Sequence, residues 1–89
     1  MENVPDTDAV RRIGATLGSR IVRTPVVECW PIEDELGDGT RVWGKLEFLQ
    51  RTGTFKARGA LAFMSRLDED ARKAGVTAVS AGNHAIATA

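Results

Sequence analysis

A second cysteine, a second histidine and an excess of charge of either sign are all missing from these 89 residues, and each absence closes off a class of function. Cys29 can form no disulfide within the chain, and with His84 as the only histidine it cannot build a cysteine- or histidine-rich metal cluster. That suits a reducing cytoplasm. Twelve Lys and Arg are matched by twelve Asp and Glu, which removes the electrostatic case for nucleic acid or an acidic membrane surface. No apolar run approaches the roughly 20 residues of a membrane helix. The start, Met1-Glu2-Asn3-Val4-Pro5-Asp6, has neither the basic beginning nor the apolar core of a signal peptide. A soluble cytoplasmic protein acting on a small molecule is the expectation.

What is present is a globular composition, 43% hydrophobic and 27% charged. A chain this short buries only about 60–65% of its unfolded surface, so the core should be thin. Its last residues, Ala85-Ile86-Ala87-Thr88-Ala89, carry no glycine, basic residue or proline to close a helix. The chain therefore reads as the amino-terminal part of a longer protein.

Local pattern predicts alternating helices and strands. Asp6 or Thr7 can cap a helix with Val10, Ile13 and Leu17 on one face and Gly18 as its stop. Residues 23–29 read as a short edge strand, because Thr24 precedes a proline and two β-branched residues follow. Residues 31–37 suit one helical turn between Pro31 and Gly37. Val42, Trp43 and Leu46 suggest a strand over 40–48, weakened by Gly44. Ala60, Phe63, Met64 and Leu67 fall on one helical stripe, Asp68-Glu69-Asp70 opens a further helix ending at Gly75, and residues 76–80 are a β-prone run. Alternation of this kind argues for an α/β fold.

Two segments carry chemistry. Lys56 stands where a helix begins, and the partial positive charge there opposes an ammonium and favours a neutral, nucleophilic amine. Gly53 frees the backbone before it, Phe55 offers an apolar wall that would desolvate the amine, and Ala57 with Gly59 leaves room for a flat ligand. The plain alternative is an exposed lysine on a first helical turn. Ser80-Ala81-Gly82-Asn83-His84 is a small-residue turn entering another helix, suited to presenting N–H groups to a carboxylate. Its plain alternative is an ordinary strand-to-helix turn capped by Ser80 or Asn83.

Together the segments Lys45-Leu46-Glu47, Leu49-Gln50-Arg51-Thr52-Gly53-Thr54-Phe55-Lys56-Ala57-Arg58-Gly59-Ala60 and Ser80-Ala81-Gly82-Asn83-His84-Ala85 closely resemble threonine dehydratases. These are pyridoxal-phosphate enzymes of the tryptophan-synthase-β fold type, a three-layer α/β/α architecture. The resemblance runs from about Arg23 to the last residue. It implies a large cofactor domain beginning over 1–75 and a small domain beginning over 76–89, in a homo-oligomeric parent. Lys56 would form the Schiff base with pyridoxal phosphate and take the α-proton of threonine or serine as the β-hydroxyl leaves, giving a 2-oxo acid and ammonia. Phe55 would lie against the cofactor and Asn83 would hydrogen-bond its ring hydroxyl. Ser80, Ala81, Gly82, Asn83 and His84 would receive the substrate carboxylate, with Thr54 beside the substrate.

The chain also departs from that pattern. Ala81 falls where relatives that racemise serine carry a second serine as the acid on the opposite ring face, so its missing hydroxyl favours elimination over racemisation. Ile86 and Phe48 stand where many dehydratases have glutamine and asparagine, which leaves the substrate open. No glycine-rich phosphate loop is present. A serine racemase, a β-replacement enzyme of the same fold and a non-catalytic truncated product are the alternatives. The stretch Gly39-Thr40-Arg41-Val42-Trp43-Gly44-Lys45 imitates a nucleotide P-loop, but Leu46 stands where a hydroxyl must meet magnesium. Trp30 and Trp43 are expected to pack rather than to stack on bases. Cys29, lacking a basic neighbour, is expected to be a passive thiol.

Without a phosphate loop, the 89-residue polypeptide alone should bind pyridoxal phosphate weakly and turn over nothing. A stable absorbance of the cofactor–lysine imine in the purified polypeptide would contradict this.

Overall fold

An aspartate that accepts a hydrogen bond from the chain ahead of it starts the first helix. The structure, a computed structural model, describes residues 4–89; residues 1–3, the beginning of the segment read for a signal peptide, lie outside it. The Asp6 carboxylate accepts the Ala9 N–H at 2.7 Å, and α1 runs Thr7–Leu17 until Gly18 closes it at φ +53°. On the expected face Leu17 is buried and Ile13 half-buried, but Val10 is exposed. The apolar stripe is shorter than its spacing suggested.

Strand β1, Val26–Glu28, pairs antiparallel with β2, Trp43–Lys45, with Val27 opposite Gly44. Bonds from Cys29 N–H to Val42 O (2.8 Å) and from Leu46 N–H to Pro25 O (2.9 Å) extend the ladder at each end. Both strands are shorter than the predicted 23–29 and 40–48. Helix α2, Trp30–Leu36, lies between them, with Pro31 in its first turn and Gly37 left-handed at its end. Gly44 has a packing reason to be glycine, because a Cβ there would stand 3.0 Å from the Cys29 sulfur.

Two tight turns, Glu47–Leu49 and Arg51–Gly53, then carry the chain into α3, Lys56–Met64. Gln50 between them is buried, and its side chain acts as a strand neighbour for Val22. Its Oε1 accepts the Val22 N–H and its Nε2 donates to the Val22 carbonyl, each at 2.8 Å, while Oε1 also accepts the Arg51 N–H at 2.9 Å. A segment 28 residues upstream is thereby fastened to the turn before α3.

Helix α3 packs on α1 and on α5, Asn83–Thr88. Its inward side chains are Ala57 and Ala60, buried, with Leu61 and Met64 half-buried. The predicted stripe of 60, 63, 64 and 67 is thus rotated: Phe63 is 63% exposed. Small alanines admit the neighbouring helices, and the phenyl ring turns to the open side. Helix α4, Glu69–Ala74, is capped by Asp68, whose carboxylate accepts the Ala71 N–H at 2.8 Å, and ends at Gly75.

The β-prone run 76–80 forms no ladder, because the described residues bring no second strand beside it; Val79 is 99% exposed. Accessible surface totals 7129 Å², against about 5,100 Å² for a compact monomer of this mass. The radius of gyration, 16.6 Å, likewise exceeds the roughly 12 Å of a compact chain of this length. Trp30 and Trp43, expected to pack, are 65% and 59% exposed. Among the described residues no helix is long and apolar enough to cross a membrane.

Replacing Gln50 with alanine removes the partner of two part-buried backbone groups of Val22. The expected loss is about 2 kcal/mol, read as a lower urea midpoint at unchanged slope. An unchanged midpoint would count against this role for the amide.

Candidate functional site

Lys56 is the first residue of α3, and the backbone before it is bent hard to put it there. Thr52 and Gly53 are both left-handed, at φ +65° and +83°, and the Gly53 N–H closes the turn on the Gln50 carbonyl at 2.9 Å. Glycine adopts that conformation freely; a β-branched threonine is strained in it, by about 1–3 kcal/mol. Thr54 is extended, and its hydroxyl accepts the Lys56 N–H at 3.4 Å. The Lys56 amine lies 5.3 Å from the centroid of the Phe55 ring, but Lys56 is exposed and Phe55 is 60% exposed, so the ring does not give the amine the expected desolvation.

Lys56 and Phe55 open onto a cleft of about 540 Å³, within the roughly 300–1,000 Å³ of small-molecule sites. One wall is α3, with Gly59, Ala60, Phe63 and Met64; the other is residues 76–78 with His84 and Thr88 of α5. Of the residues expected in the site, the structure therefore brings Phe55, Lys56 and His84 to one cleft. Thr54 and the turn Ser80, Ala81, Gly82 and Asn83 stand outside its lining. Ser80 Oγ accepts the Gly82 N–H at 3.2 Å, and α5 starts without a side-chain cap from either Ser80 or Asn83.

A group of polar residues that local pattern did not single out lies behind α3. The Glu47 carboxylate is half-buried, accepts the Thr24 hydroxyl at 2.6 Å and the Gln50 amide at 3.5 Å, and forms an ion pair with the Arg58 guanidinium. Hydrogen bonding from Arg58 holds the Glu47 carboxyl down at about 2; burial opposes this and the Thr24 hydroxyl adds to it. The same contact pushes Arg58 up. These side chains fall inside the motif of residues 45–60, but nothing in their spacing shows that Thr24 and Val22, far upstream, are their partners.

The P-loop imitation is occupied otherwise. Lys45 donates to the Thr24 carbonyl at 3.0 Å, Trp43 and Gly44 lie in β2, and Arg41 stands 5.6 Å over the Trp43 ring. Cys29 is a half-buried free thiol against Gly44. Among the described residues no three His, Cys, Asp or Glu side chains come together to hold a metal. A lysine amine, an aromatic face and apolar walls fit the ring and aldehyde of a flat carbonyl cofactor at the Lys56 end of the cleft. These residues build no cradle for its phosphate.

The model of a family described as "Pyridoxal-phosphate dependent enzyme" matches residues 18–89. A phenylserine dehydratase of Ralstonia pickettii is 48% identical over 86 residues, 97% of this chain and 26% of its own. An L-threo-3-hydroxyaspartate ammonia-lyase of a Pseudomonas species is 54% identical over 63 residues, 71% of this chain and 19% of its own. Among solved structures, that of maize serine racemase superposes with a TM-score of 0.78 at 35% identity, over 93% of this chain and 26% of that one. The chain spans about a quarter or less of the length of these relatives.

The lowered Glu47 carboxyl makes a pH prediction. A carboxylate depressed from 4.5 to about 2 by folding stabilises the folded chain fully above the higher value, and that contribution is lost as pH falls through the lower. Acid titration of stability should show a loss between these limits that is smaller in Glu47→Gln; equal acid slopes in both proteins would refute it.

Proposed function

The chain belongs to the pyridoxal-phosphate dependent enzymes and carries part of their tryptophan-synthase-β-like fold, and on that premise we propose that the protein deaminates a 3-hydroxy amino acid, threonine or serine: the β-hydroxyl leaves as water, water is taken up again when the resulting enamine hydrolyses, and the net products are a 2-oxo acid and ammonia. One observation carries the reading: the amine of Lys56, at the head of α3, shares a cleft of small-molecule size with Phe55 and His84. Two relatives, a phenylserine dehydratase and an L-threo-3-hydroxyaspartate ammonia-lyase, support a substrate with its hydroxyl on the β-carbon.

Bound pyridoxal phosphate supplies an electron sink for negative charge at the substrate α-carbon. The residues of the chain do the rest. Lys56 Nζ would hold the cofactor through its aldehyde carbon and, as a free amine, would take the α-proton of the substrate. Phe55 would lie along the ring, and Asn83, outside the cleft lining in this structure, would hold the ring hydroxyl. Backbone N–H groups of Ser80, Ala81, Gly82, Asn83 and His84 would receive the substrate carboxylate and Thr54 would stand beside the substrate, although of these only His84 lines the cleft in this structure. Phe63, Met64 and Val76 give the cleft apolar surface against which a flat ring can pack.

The division of labour between domains follows. Residues 1–75 begin the cofactor domain and 76–89 the smaller one, with the cleft between α3 and the chain from Val76 onward. A cytoplasmic homo-oligomer is part of the same reading.

A second reading, serine racemisation, has the likeness to maize serine racemase in its favour. Racemisation needs a proton donor on the ring face opposite Lys56. Ala81 has no hydroxyl to give.

In the full-length protein, Lys56→Ala should lower ammonia release from threonine or serine by at least about 10²–10⁴-fold, the usual worth of a positioned proton-transfer group. Ammonia release at the normal rate would end the assignment. Chiral analysis of the residual serine separates the two readings, since D-serine formed faster than ammonia would support racemisation.

A further inference from the structure

We propose that Glu47 and Arg58 are positioning residues for Lys56, an ion pair behind α3 that sets the direction in which the amine enters the cleft. The proposal rests on the reading of Lys56 given above. Arg58 follows Lys56 by two residues, and two residues at 100° each turn a helical side chain by about 200°. Lys56 faces the cleft and Arg58 therefore faces away, toward Glu47. A tether on the back of the first turn fixes the rotation of the helix, and so the line along which its front side chain points.

The tether has a firm anchor. Glu47 accepts the Thr24 hydroxyl at 2.6 Å and the amide of Gln50, and that amide is in turn bonded to both backbone groups of Val22. Thr24 and Gln50 are each only 4% exposed, so the anchor is shielded from water.

The start of α3 has little else to hold it. Phe55 provides no side-chain cap, the Lys56 N–H makes only a 3.4 Å bond to Thr54, and Thr52 is held in a left-handed conformation that a threonine resists. A strained segment persists only where its surroundings over-determine it. The contact from Arg58 to Glu47 reaches the first turn of the helix directly after that segment.

The pair's contribution to stability, read by acid titration, is separate from this role: with side chains 15% and 32% exposed it is partly shielded from water, and the same contact holds one relative orientation of α3 and the turn before it.

Limited treatment of the full-length protein with pyridoxal phosphate, followed by borohydride and peptide mapping, measures the share of label on Lys56. Lys73, on the exposed face of α4 and paired with Glu69, is the reference. Glu47→Gln and Arg58→Gln should each lower the ratio of Lys56 to Lys73 label by about threefold or more, a modest coupling for groups in one network. Arg58→Lys should restore part of it. Arg41→Gln, which breaks the exposed pair with Glu28 at the sheet, should leave the ratio unchanged. Each variant is read well below its own unfolding midpoint, so a loss of label reports orientation rather than unfolding. Wild-type ratios in Glu47→Gln and Arg58→Gln, with or without lower midpoints, overturn the proposal and leave the reading of Lys56 intact. A wild-type protein that labels Lys56 no more than Lys73 overturns both.

Discussion

The side-chain amide of Gln50 bonded to the backbone of Val22 is the constraint on which the rest of this structure depends. It joins a segment that has just left α1 to the turn that leads into α3, and it does so where the backbone alone could not, since neither stretch is a strand at that point. Once Gln50 is placed, its neighbour Glu47 is placed too, and the carboxylate has the upstream hydroxyl of Thr24 on one side and the downstream guanidinium of Arg58 on the other. Three sequence regions converge on two adjacent turns. The helix that carries Lys56 inherits its orientation from this junction.

The apolar core is small by comparison. Leu17, Ala57 and Ala60 are its buried hydrophobic members, and the packing of α3 on α1 and α5 works through alanine contact more than through large side chains. Such packing permits close approach but specifies little on its own, because a small side chain fills many registers equally well. Hydrogen bonds with defined geometry supply the missing specificity. The ring of Phe63 then falls on the cleft side of the helix, where it contributes to the wall opposite residues 76–78.

Much of this was legible in the sequence wherever the cause is local. The aspartates ahead of α1 and α4, the glycines that end α1, α2 and α4, and the proline in α2 mark helix boundaries to within a residue, because a cap and its partner lie three or four positions apart. The amine at the head of α3 was legible for the same reason. Non-local causes were not. The inward face of α3 is rotated from its apolar spacing because its neighbours accept Ala57 rather than Phe63, and residues 76–80 have strand-forming side chains without a strand to pair with. The partnership of Gln50 with Val22 spans 28 positions and has no periodic signature at all.

That span has a consequence for synthesis on the ribosome. The chain emerges amino end first, so Val22 is in solution well before Gln50; at about 5–20 residues per second the interval is roughly 1–6 s. Throughout it the peptide groups of Val22 have only water for company, and the bend at Thr52 and Gly53 cannot be locked until its upstream partner is found. Seating the Lys56 amine thus waits for Gln50 to be made, and is completed by the return of a segment made seconds earlier.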